Sequence, residues 1–130
     1  MTGYVRVLVV DDSLLTRNVL TDALNADPQI MVVGQASDGE GAVSAARRLR
    51  PDIITMDVSM PGVDGYEAVR RLRAEGCTTP ILAVTAYAMS GDREECLAMG
   101  CDDFISKPLE WDRFLAKLTR LLAAKSGVSG

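Results

Sequence analysis

The stretch Val5-Arg6-Val7-Leu8-Val9-Val10, followed at once by Asp11-Asp12, decides the fold because it joins a buried-strand pattern to an acidic end. The run is rich in β-branched residues and nearly continuous in apolar character, which is typical of a strand covered on both faces. Comparable short runs recur along the chain at 30–33, 53–56, 81–84 and 103–106. They predict a parallel sheet covered by helices.

The segments between these runs have the periodicity of amphipathic helices. Capping residues and trailing glycines delimit them, and the predicted helices are 13–26, 38–50, 64–75, 90–99 and 110–124. The helix 90–99 has few apolar residues, so we expect it to dock weakly. Five βα units in tandem with right-handed crossovers predict an α/β fold, a doubly wound five-stranded parallel sheet with five helices.

Composition excludes several classes of protein. The chain has 130 residues, 48% of them hydrophobic and 25% charged, which suits one domain with a real core. A net charge of -4 disfavours nucleic acid or a membrane surface as a partner. Histidine is absent, which excludes Ser-His-Asp and Cys-His catalytic centres and any imidazole-ligated metal.

Cysteine spacing and the N-terminus indicate the compartment. Cys77, Cys96 and Cys101 form no C-x-x-C pair, so free thiols in a reducing environment are expected. The first apolar run ends at Asp11, too soon for a signal peptide, and no run approaches the length of a membrane span. We therefore expect a cytoplasmic protein, with one domain over residues 1–124 and a disordered tail over 125–130.

Functional side chains follow four of the five predicted strands. Asp11-Asp12 follow the first strand, Asp57 the third, Thr85 the fourth and Lys107 the fifth, whereas the second, ending near Gly34-Gln35, contributes nothing obvious. In an open parallel sheet, ligands bind outside the carboxyl ends of the strands. The sequence therefore predicts that these groups meet at one edge of the sheet.

Three carboxylates placed together require a compensating cation, because repulsion would otherwise disfavour their ionised forms. Lys107 supplies one positive charge, and a divalent ion would supply two. Without histidine or clustered cysteine, oxygen-liganded Mg²⁺ is the best fit. Carboxylates, Mg²⁺, a lysine and a threonine hydroxyl are together the groups that phosphoryl transfer needs, and a carboxylate can act as the nucleophile.

These residues carry a resemblance to a known family. Asp11-Asp12, the stretch Met-Asp-Val-Ser-Met-Pro-Gly-Val-Asp-Gly at 56–65, Thr85-Ala86 and Lys107-Pro108 occur in the order of the motifs of response regulator receiver domains. From about Val5 to Leu122 the chain resembles this family of two-component signal transduction. Each motif alone is weakly specific, but the ordered set at strand ends is specific. The resemblance implies a CheY-like, flavodoxin-like (βα)5 fold with strand order 2-1-3-4-5.

The resemblance also implies a role for each site residue. Asp57 would accept a phosphoryl group from a phosphohistidine on a histidine kinase or histidine phosphotransfer protein. Asp12, Asp57 and the backbone carbonyl of Ser59 would bind Mg²⁺ directly, and Asp11 would act through a bound water. Lys107 would pair with Asp57 and then with the phosphoryl oxygens.

Other residues would transmit or tune the signal, again by resemblance. Thr85 would move to hydrogen-bond the phosphoryl group, Phe104 would swing into the vacated space, and Pro108 would follow a cis peptide bond. The face that changes would comprise the fourth helix, the fifth strand and the fifth helix (α4-β5-α5). Ser59 and Tyr87 stand where the family tunes the lifetime of the acyl phosphate, and we expect bulky Tyr87 to slow hydrolysis.

The implied chemistry is self-phosphorylation and self-dephosphorylation only, so we do not expect an enzyme that turns over a separate substrate. The implied partners are the phosphoryl donor and either a downstream effector protein or a fused output domain. A monomer or weak dimer is expected.

Each residue also has a simpler interpretation. Asp12 or Ser13 could only cap the first helix, and Asp57 could be a turn residue. Thr85 could merely end a strand, and Lys107 could be a solvated surface lysine. Their joint occurrence at strand ends favours a functional site.

Alternative functions stay open at this point. A phosphohydrolase of haloacid-dehalogenase type would need D-x-D after the first strand, where this chain has Asp11-Asp12-Ser13-Leu14. A flavodoxin-like FMN carrier would need a phosphate loop at that place, where two aspartates would repel phosphate. A receiver-shaped scaffold that is never phosphorylated would have no need of Asp57, Thr85 and Lys107 together.

Overall fold

A computed structural model describes residues 4–58, 65–85, 92–107 and 109–125. Five strands alternate with five helices along these ranges. The strands are β1 (Val5–Val10), β2 (Ile30–Ala36), β3 (Ile53–Asp57), β4 (Ile81–Thr85) and β5 (Asp103–Ser106). The helices are α1 (Leu14–Asn25), α2 (Gly39–Leu49), α3 (Gly65–Ala74), α4 (Asp92–Met99) and α5 (Trp111–Lys125).

The sheet has the predicted topology. All neighbouring strands are parallel, in the order β2-β1-β3-β4-β5. The chain order reverses between β1 and β3, so their carboxyl ends flank a topological switch point where ligands of such sheets bind. The prediction of a doubly wound, flavodoxin-like fold is confirmed.

Each face of the sheet has its own core, because successive strand residues point to opposite sides. On one face, Leu8, Ile54 and Met56 belong to a cluster with buried residues of α2 and α3. On the other face, Val7, Val9 and Ile53 belong to a cluster with buried residues of α1 and α5. The continuous apolar character of the strands follows from this two-sided burial.

Strand β2 is longer than its apolar run predicts. It continues beyond residue 33 to Ala36, with an irregularity in its pairing with β1 between Val7 and Leu8. A Cβ at Gly34 would lie 2.6 Å from Leu49 Cδ1, so a larger residue there would require the Leu49 side chain of α2 to shift. Gly34 is a poor strand former, and pairing with β1 overrides that preference.

The helix boundaries depend on the predicted capping residues. Ser13 and Asp38 accept hydrogen bonds at the N-termini of α1 and α2, and Gly76 and Gly100 have φ values of 88° and 112° after α3 and α4. The other predicted caps, at positions 64 and 90, lie outside the described residues. Helix α2 ends on left-handed Arg50, a non-glycine residue that the pattern did not predict.

Helix α1 carries two apolar stripes with different environments. Leu20 and Leu24 are buried against the sheet. Leu15 is 74% exposed and Val19 is 58% exposed, although they repeat with the same periodicity. The helical periodicity therefore predicted the helix correctly, but only one of its two apolar stripes belongs to the core.

Cys101 is buried and Cys77 is partly buried, and neither forms a disulfide bond within the described residues, as expected from their spacing. The side chain of Cys96 and the predicted tail at 126–130 lie outside the described residues. None of the described helices has the length and apolar character to cross a bilayer.

Thr55 has a buried hydroxyl group in the middle of β3. It is 1% exposed and pairs in register with Val9 of β1. Its Oγ1 atom makes no hydrogen bond to the described part of the chain. A buried unsatisfied hydroxyl costs stability because its hydration is lost without replacement.

Replacing Thr55 with Val should therefore raise the free energy of unfolding by about 1 kcal/mol, since the shape is kept and the unpaired hydroxyl is removed. Urea denaturation monitored by circular dichroism measures this change. The reverse change at the paired position, Val9→Thr, should lower stability by about 1–3 kcal/mol. A neutral or destabilising Thr55→Val would mean that the hydroxyl has a partner.

Candidate functional site

The predicted site residues that the structure describes meet at the carboxyl edge of the sheet. Asp11 directly follows β1, Asp57 and Thr85 end β3 and β4, and Lys107 follows β5. The Val58 amide donates to the Val84 carbonyl at 2.9 Å, and the Lys107 amide donates to the Thr85 carbonyl at 2.8 Å. Backbone pairing thus continues past the strand ends and holds the site together.

Three carboxyl groups form an acidic cluster. One oxygen each from Asp11, Asp12 and Asp57 lies within 4.8 Å of the other two. Asp11 is 1% exposed and Asp57 is 3% exposed, whereas Asp12 is open to solvent. The prediction that acids from separate parts of the chain converge here is confirmed by this geometry.

Lys107 bridges the two buried acids. Its Nζ atom donates to Asp11 Oδ2 at 3.1 Å and to Asp57 Oδ2 at 3.3 Å. Burial alone would lower the pKa of Lys107, but its hydrogen bond to Asp11 and the charges of Asp57 and Asp11 raise it above its ordinary value. The ammonium group is therefore charged throughout the neutral range.

Asp11 has the least favourable environment for a negative charge. Burial raises the pKa of its carboxyl group above the ordinary value, and the backbone N–H of Ser13 and the ammonium group of Lys107 offset only part of this effect. The Ser13 N–H donates to Asp11 Oδ1 at 2.9 Å. One lysine thus does not fully compensate the clustered acids.

The chemistry of this donor set fits a hard divalent cation. The cluster offers carboxylate oxygens only, two from buried residues and one from an exposed residue that leaves a side open to water. Mg²⁺ prefers a few carboxylates together with water and phosphate oxygens. A further positive charge at this place would also stabilise the ionised form of Asp11.

The other predicted residues have mixed outcomes. Thr85 is buried beside the acidic cluster. Phe104 is half-buried and packs against the α2–α3 cluster. The remaining predictions concern Ser59, Tyr87 and Pro108, which lie outside the described residues.

Gly65 shapes the wall next to Asp57. It begins α3, and a Cβ there would lie 2.6 Å from Val58 Cα and 2.7 Å from the Asp57 carbonyl oxygen. Only glycine allows the helix to approach the backbone so closely. The sequence suggested a tight turn here but not this contact.

Two residues at the site were missed by sequence reasoning. The Arg17 Nη1 atom donates to the Asp11 backbone carbonyl at 2.8 Å, and its Nε atom donates to Gln35 Oε1 at 3.0 Å. Gln35 Nε2 in turn donates to Thr21 Oγ1 at 2.8 Å. The available signal was weak: a basic residue one turn into the helix that follows two aspartates.

An open apolar cavity of about 610 Å³ adjoins the site. Helix α1 contributes Leu15 and Val19 to its lining, and Lys107, Leu109 and Trp111 line the other side. The Trp111 ring stacks in a tilted arrangement on Phe114, with 5.3 Å between the ring centroids. The exposed stripe of α1 and Lys107 therefore line the same cavity.

Comparison with known proteins assigns the family. Residues 7–119 match the family model for the response regulator receiver domain. The chain belongs to this family. It is thus a CheY-like receiver of two-component signal transduction, and the predicted resemblance is confirmed.

Relatives with a longer chain share this receiver. The chain is 40% identical over 132 residues to the protein-glutamate methylesterase/protein-glutamine glutaminase 2 of Koribacter versatilis, covering 99% of this chain and 36% of that protein. The receiver thus spans about a third of the length of that curated relative.

Solved receivers have the same fold. The response regulator domain of Thermotoga maritima CheB has a TM-score of 0.83 and 36% identity, with 92% of this chain and 96% of that chain covered. The CheX-CheY-BeF3-Mg²⁺ complex from Borrelia burgdorferi has a TM-score of 0.84 and 27% identity, with 92% of this chain and 89% of that chain covered.

The environment of Asp11 predicts how stability depends on pH without a divalent cation. Because its pKa is higher in the folded protein, the folded state binds this proton more tightly than the unfolded chain. The associated stability is fully present below the ordinary value of 3.8 and is lost as the pH rises through the raised value. In EDTA at pH 7, Asp11→Asn should therefore unfold at a higher urea concentration than the wild type.

The difference between their urea midpoints should narrow as the pH falls to the ordinary value of 3.8, because the wild-type carboxyl group is progressively protonated. Asp12→Asn is the matched control, because the exposed Asp12 carboxylate keeps its hydration and its removal should change stability less. Equal urea midpoints for Asp11→Asn and the wild type at pH 7 would contradict this interpretation.

Proposed function

We propose that this receiver accepts a phosphoryl group on Asp57 in a Mg²⁺-dependent reaction and then changes the surface formed by α4, β5 and α5. The observation that carries the proposal is the buried pair of Asp11 and Asp57 bridged by Lys107, with Asp12 open to solvent beside them. Family membership favours it over the phosphohydrolase and FMN-carrier alternatives.

The proposed reaction is a direct displacement at phosphorus. A carboxylate oxygen of Asp57 forms a bond to phosphorus as the bond between phosphorus and a histidine nitrogen of the donor breaks. The donor imidazole, protonated on its other nitrogen, leaves as a neutral ring. Lys107 would move its contact from the carboxylate to the phosphoryl oxygens and so offset the added charge.

Asp11, Asp12 and Asp57 would hold the metal ion, together with the backbone carbonyl of Ser59. When bound there, Mg²⁺ neutralises charge on the phosphoryl oxygens. Asp11 would act through a water. A CheY of Borrelia burgdorferi was solved as a complex with BeF3 and Mg²⁺, and its likeness to this chain supports such a site here.

Thr85 and Phe104 would link the site to the surface. The Thr85 hydroxyl would turn towards the phosphoryl group, and the Phe104 ring would follow into the space it leaves. Phe104 reaches that surface, because it lines an open groove of about 550 Å³ together with residues of α4 and α5, including Leu97 and Arg113. The roles of Ser59 and Tyr87 in phosphoryl lifetime stay predictions from the resemblance.

Labelling with acetyl phosphate and Mg²⁺ tests the proposal. The wild type should gain one phosphoryl group by mass spectrometry, and EDTA should prevent the gain. Asp57→Ala should gain none, because the nucleophile is absent. Asp27→Ala removes an aspartate from the α1–β2 turn and should be labelled like the wild type. Turnover of a phosphate ester without label, or label on Asp57→Ala, would refute the proposal.

The phosphoryl donor in this proposal is a histidine kinase or histidine phosphotransfer protein that covers the cavity between α1 and Lys107. The exposed Leu15 and Val19 side chains give an apolar contact next to the nucleophile, as a macromolecular donor would require. A small donor such as acetyl phosphate needs no contact with α1.

Val19→Asp should therefore slow phosphoryl transfer from a phosphorylated histidine kinase about tenfold, because it introduces a charge into an apolar contact. Labelling by acetyl phosphate should be unchanged. Met31→Asp, at an exposed apolar position of β2, is the matched control and should leave both rates alone. Equal slowing with both donors would indicate damage to the site instead of lost docking.

The output of the receiver is a partner protein or a fused domain. The Koribacter versatilis relative is named for methylesterase and glutaminase activity and is about three times as long as the matched region. We infer that the present chain supplies the phosphorylation-dependent control in a protein of that kind, as a monomer or weak dimer whose own chemistry is confined to Asp57.

A further inference from the structure

Arg17 has an unusual combination of contacts for a helix residue near the surface. Its guanidinium group donates at 2.8 Å to the backbone carbonyl of Asp11 and at 3.0 Å to the side-chain oxygen of Gln35. No carboxylate in the described ranges pairs with it within 4.0 Å. The guanidinium group therefore donates its hydrogen bonds to two neutral oxygens, one of which is the backbone carbonyl oxygen of Asp11 in the acidic cluster.

The contact with the Asp11 carbonyl bears directly on Asp12. The carbonyl of Asp11 and the N–H of Asp12 belong to one planar peptide group. Fixing the carbonyl oxygen thus fixes the orientation of the peptide from which the Asp12 side chain extends. The exposed Asp12 carboxylate makes no hydrogen bond of its own to the described residues, so its direction depends on its backbone.

The opposite side of Asp11 is held as well. Its backbone N–H donates to the Ala36 carbonyl at 3.1 Å, and its carboxylate accepts bonds from Ser13 and Lys107. Asp11 is therefore anchored at its amide and side chain by other residues, and at its carbonyl by Arg17. Of these anchors, the bond from Arg17 is the one that acts on the peptide between Asp11 and Asp12.

Gln35 and Thr21 form a hydrogen-bonded chain that holds the guanidinium group of Arg17 in its orientation. Gln35 Oε1 accepts from Arg17, and Gln35 Nε2 donates to Thr21 one helical turn further along α1. The resulting chain of hydrogen bonds joins α1 to the end of β2. This explains what the second strand contributes to an edge where the other four strands supply reactive groups.

We infer that Arg17 is a positioning residue that aims Asp12 at the metal site, and that Gln35 holds Arg17 in place. The inference rests on the proposed Mg²⁺-dependent function. Groups that orient metal ligands from behind typically change metal affinity by about 10- to 100-fold. Arg17 acts through the backbone and not through a ligand atom, so we expect an effect at the low end of that range.

The test measures Mg²⁺ affinity by isothermal titration calorimetry, with no phosphoryl donor present. Arg17→Met keeps the length of the side chain but removes its donors, and should raise the Mg²⁺ dissociation constant about tenfold. Arg17→Lys retains one charged donor and should recover part of the affinity. Gln35→Met leaves the Asp11 contact possible but no longer holds the guanidinium group, so its affinity should lie between wild type and Arg17→Met.

Arg6→Met is the matched control. Arg6 also donates its guanidinium N–H groups to backbone carbonyls, at 2.8 Å to Arg50 and 2.7 Å to Leu49, but at the end of α2. The Arg6→Met variant should lower the urea midpoint in EDTA at least as much as Arg17→Met does, but it should leave the Mg²⁺ affinity unchanged. This comparison distinguishes a general loss of stability from a change in the orientation of the Asp12 carboxylate.

The outcomes distinguish this inference from the proposed function. If the wild type binds Mg²⁺ and Arg17→Met binds it equally well, the role of Arg17 alone is overturned. If Arg17→Met does not fold, equal binding by Arg17→Lys and Gln35→Met has the same meaning. A fall in affinity that Arg6→Met reproduces would also overturn it. A wild type that binds no Mg²⁺ would overturn the proposed function together with this inference.

Discussion

The bridge from the Lys107 ammonium group to the carboxylates of Asp11 and Asp57 is the interaction on which the functional edge depends. Both acids are almost completely buried, and the pKa of Asp11 is raised because its charge is poorly hydrated. Without a cation between them, the two carboxylates would repel each other. The bridge holds the two buried acids close together, an arrangement that is favourable for a divalent ion but costly for the fold.

The parallel sheet brings these groups together from distant parts of the chain. Lys107 lies 96 residues from Asp11 and 50 from Asp57, yet each directly follows or ends a strand. A core on each face of the sheet fixes the strands, and close packing of Gly65 against the Asp57–Val58 backbone fixes the wall of the site. Rigid strands thus hold the acids, while the surfaces that would contact partners belong to helices.

Two surfaces carry apolar groups outside the core. The exposed stripe of α1 runs to Lys107, and the groove beside Phe104 lies between α4 and α5. The first is lined by Lys107, so in the proposed function it suits a donor of the phosphoryl group. The second is lined by residues of β5, which pairs with β4 at Thr85, so in the proposed function it suits a partner that senses the reaction. In the proposed function, the phosphoryl donor and the effector would therefore contact different surfaces of the receiver.

The sequence by itself determined the order of strands and helices, the capping by Ser13 and Asp38, and the set of residues at the strand ends, since these follow from local periodicity and from the geometry of parallel sheets. The tertiary structure decided which apolar stripe of α1 is buried, how far β2 extends, and that Arg17 and Gln35 reach the acidic edge. The local sequence pattern determines whether a segment forms a helix or a strand. Which residues are exposed, and which distant residues they contact, depends on how the helices pack on the completed sheet. For that reason the hydrogen-bonded route from Thr21 to Asp11 has no counterpart in the spacing of the residues along the chain.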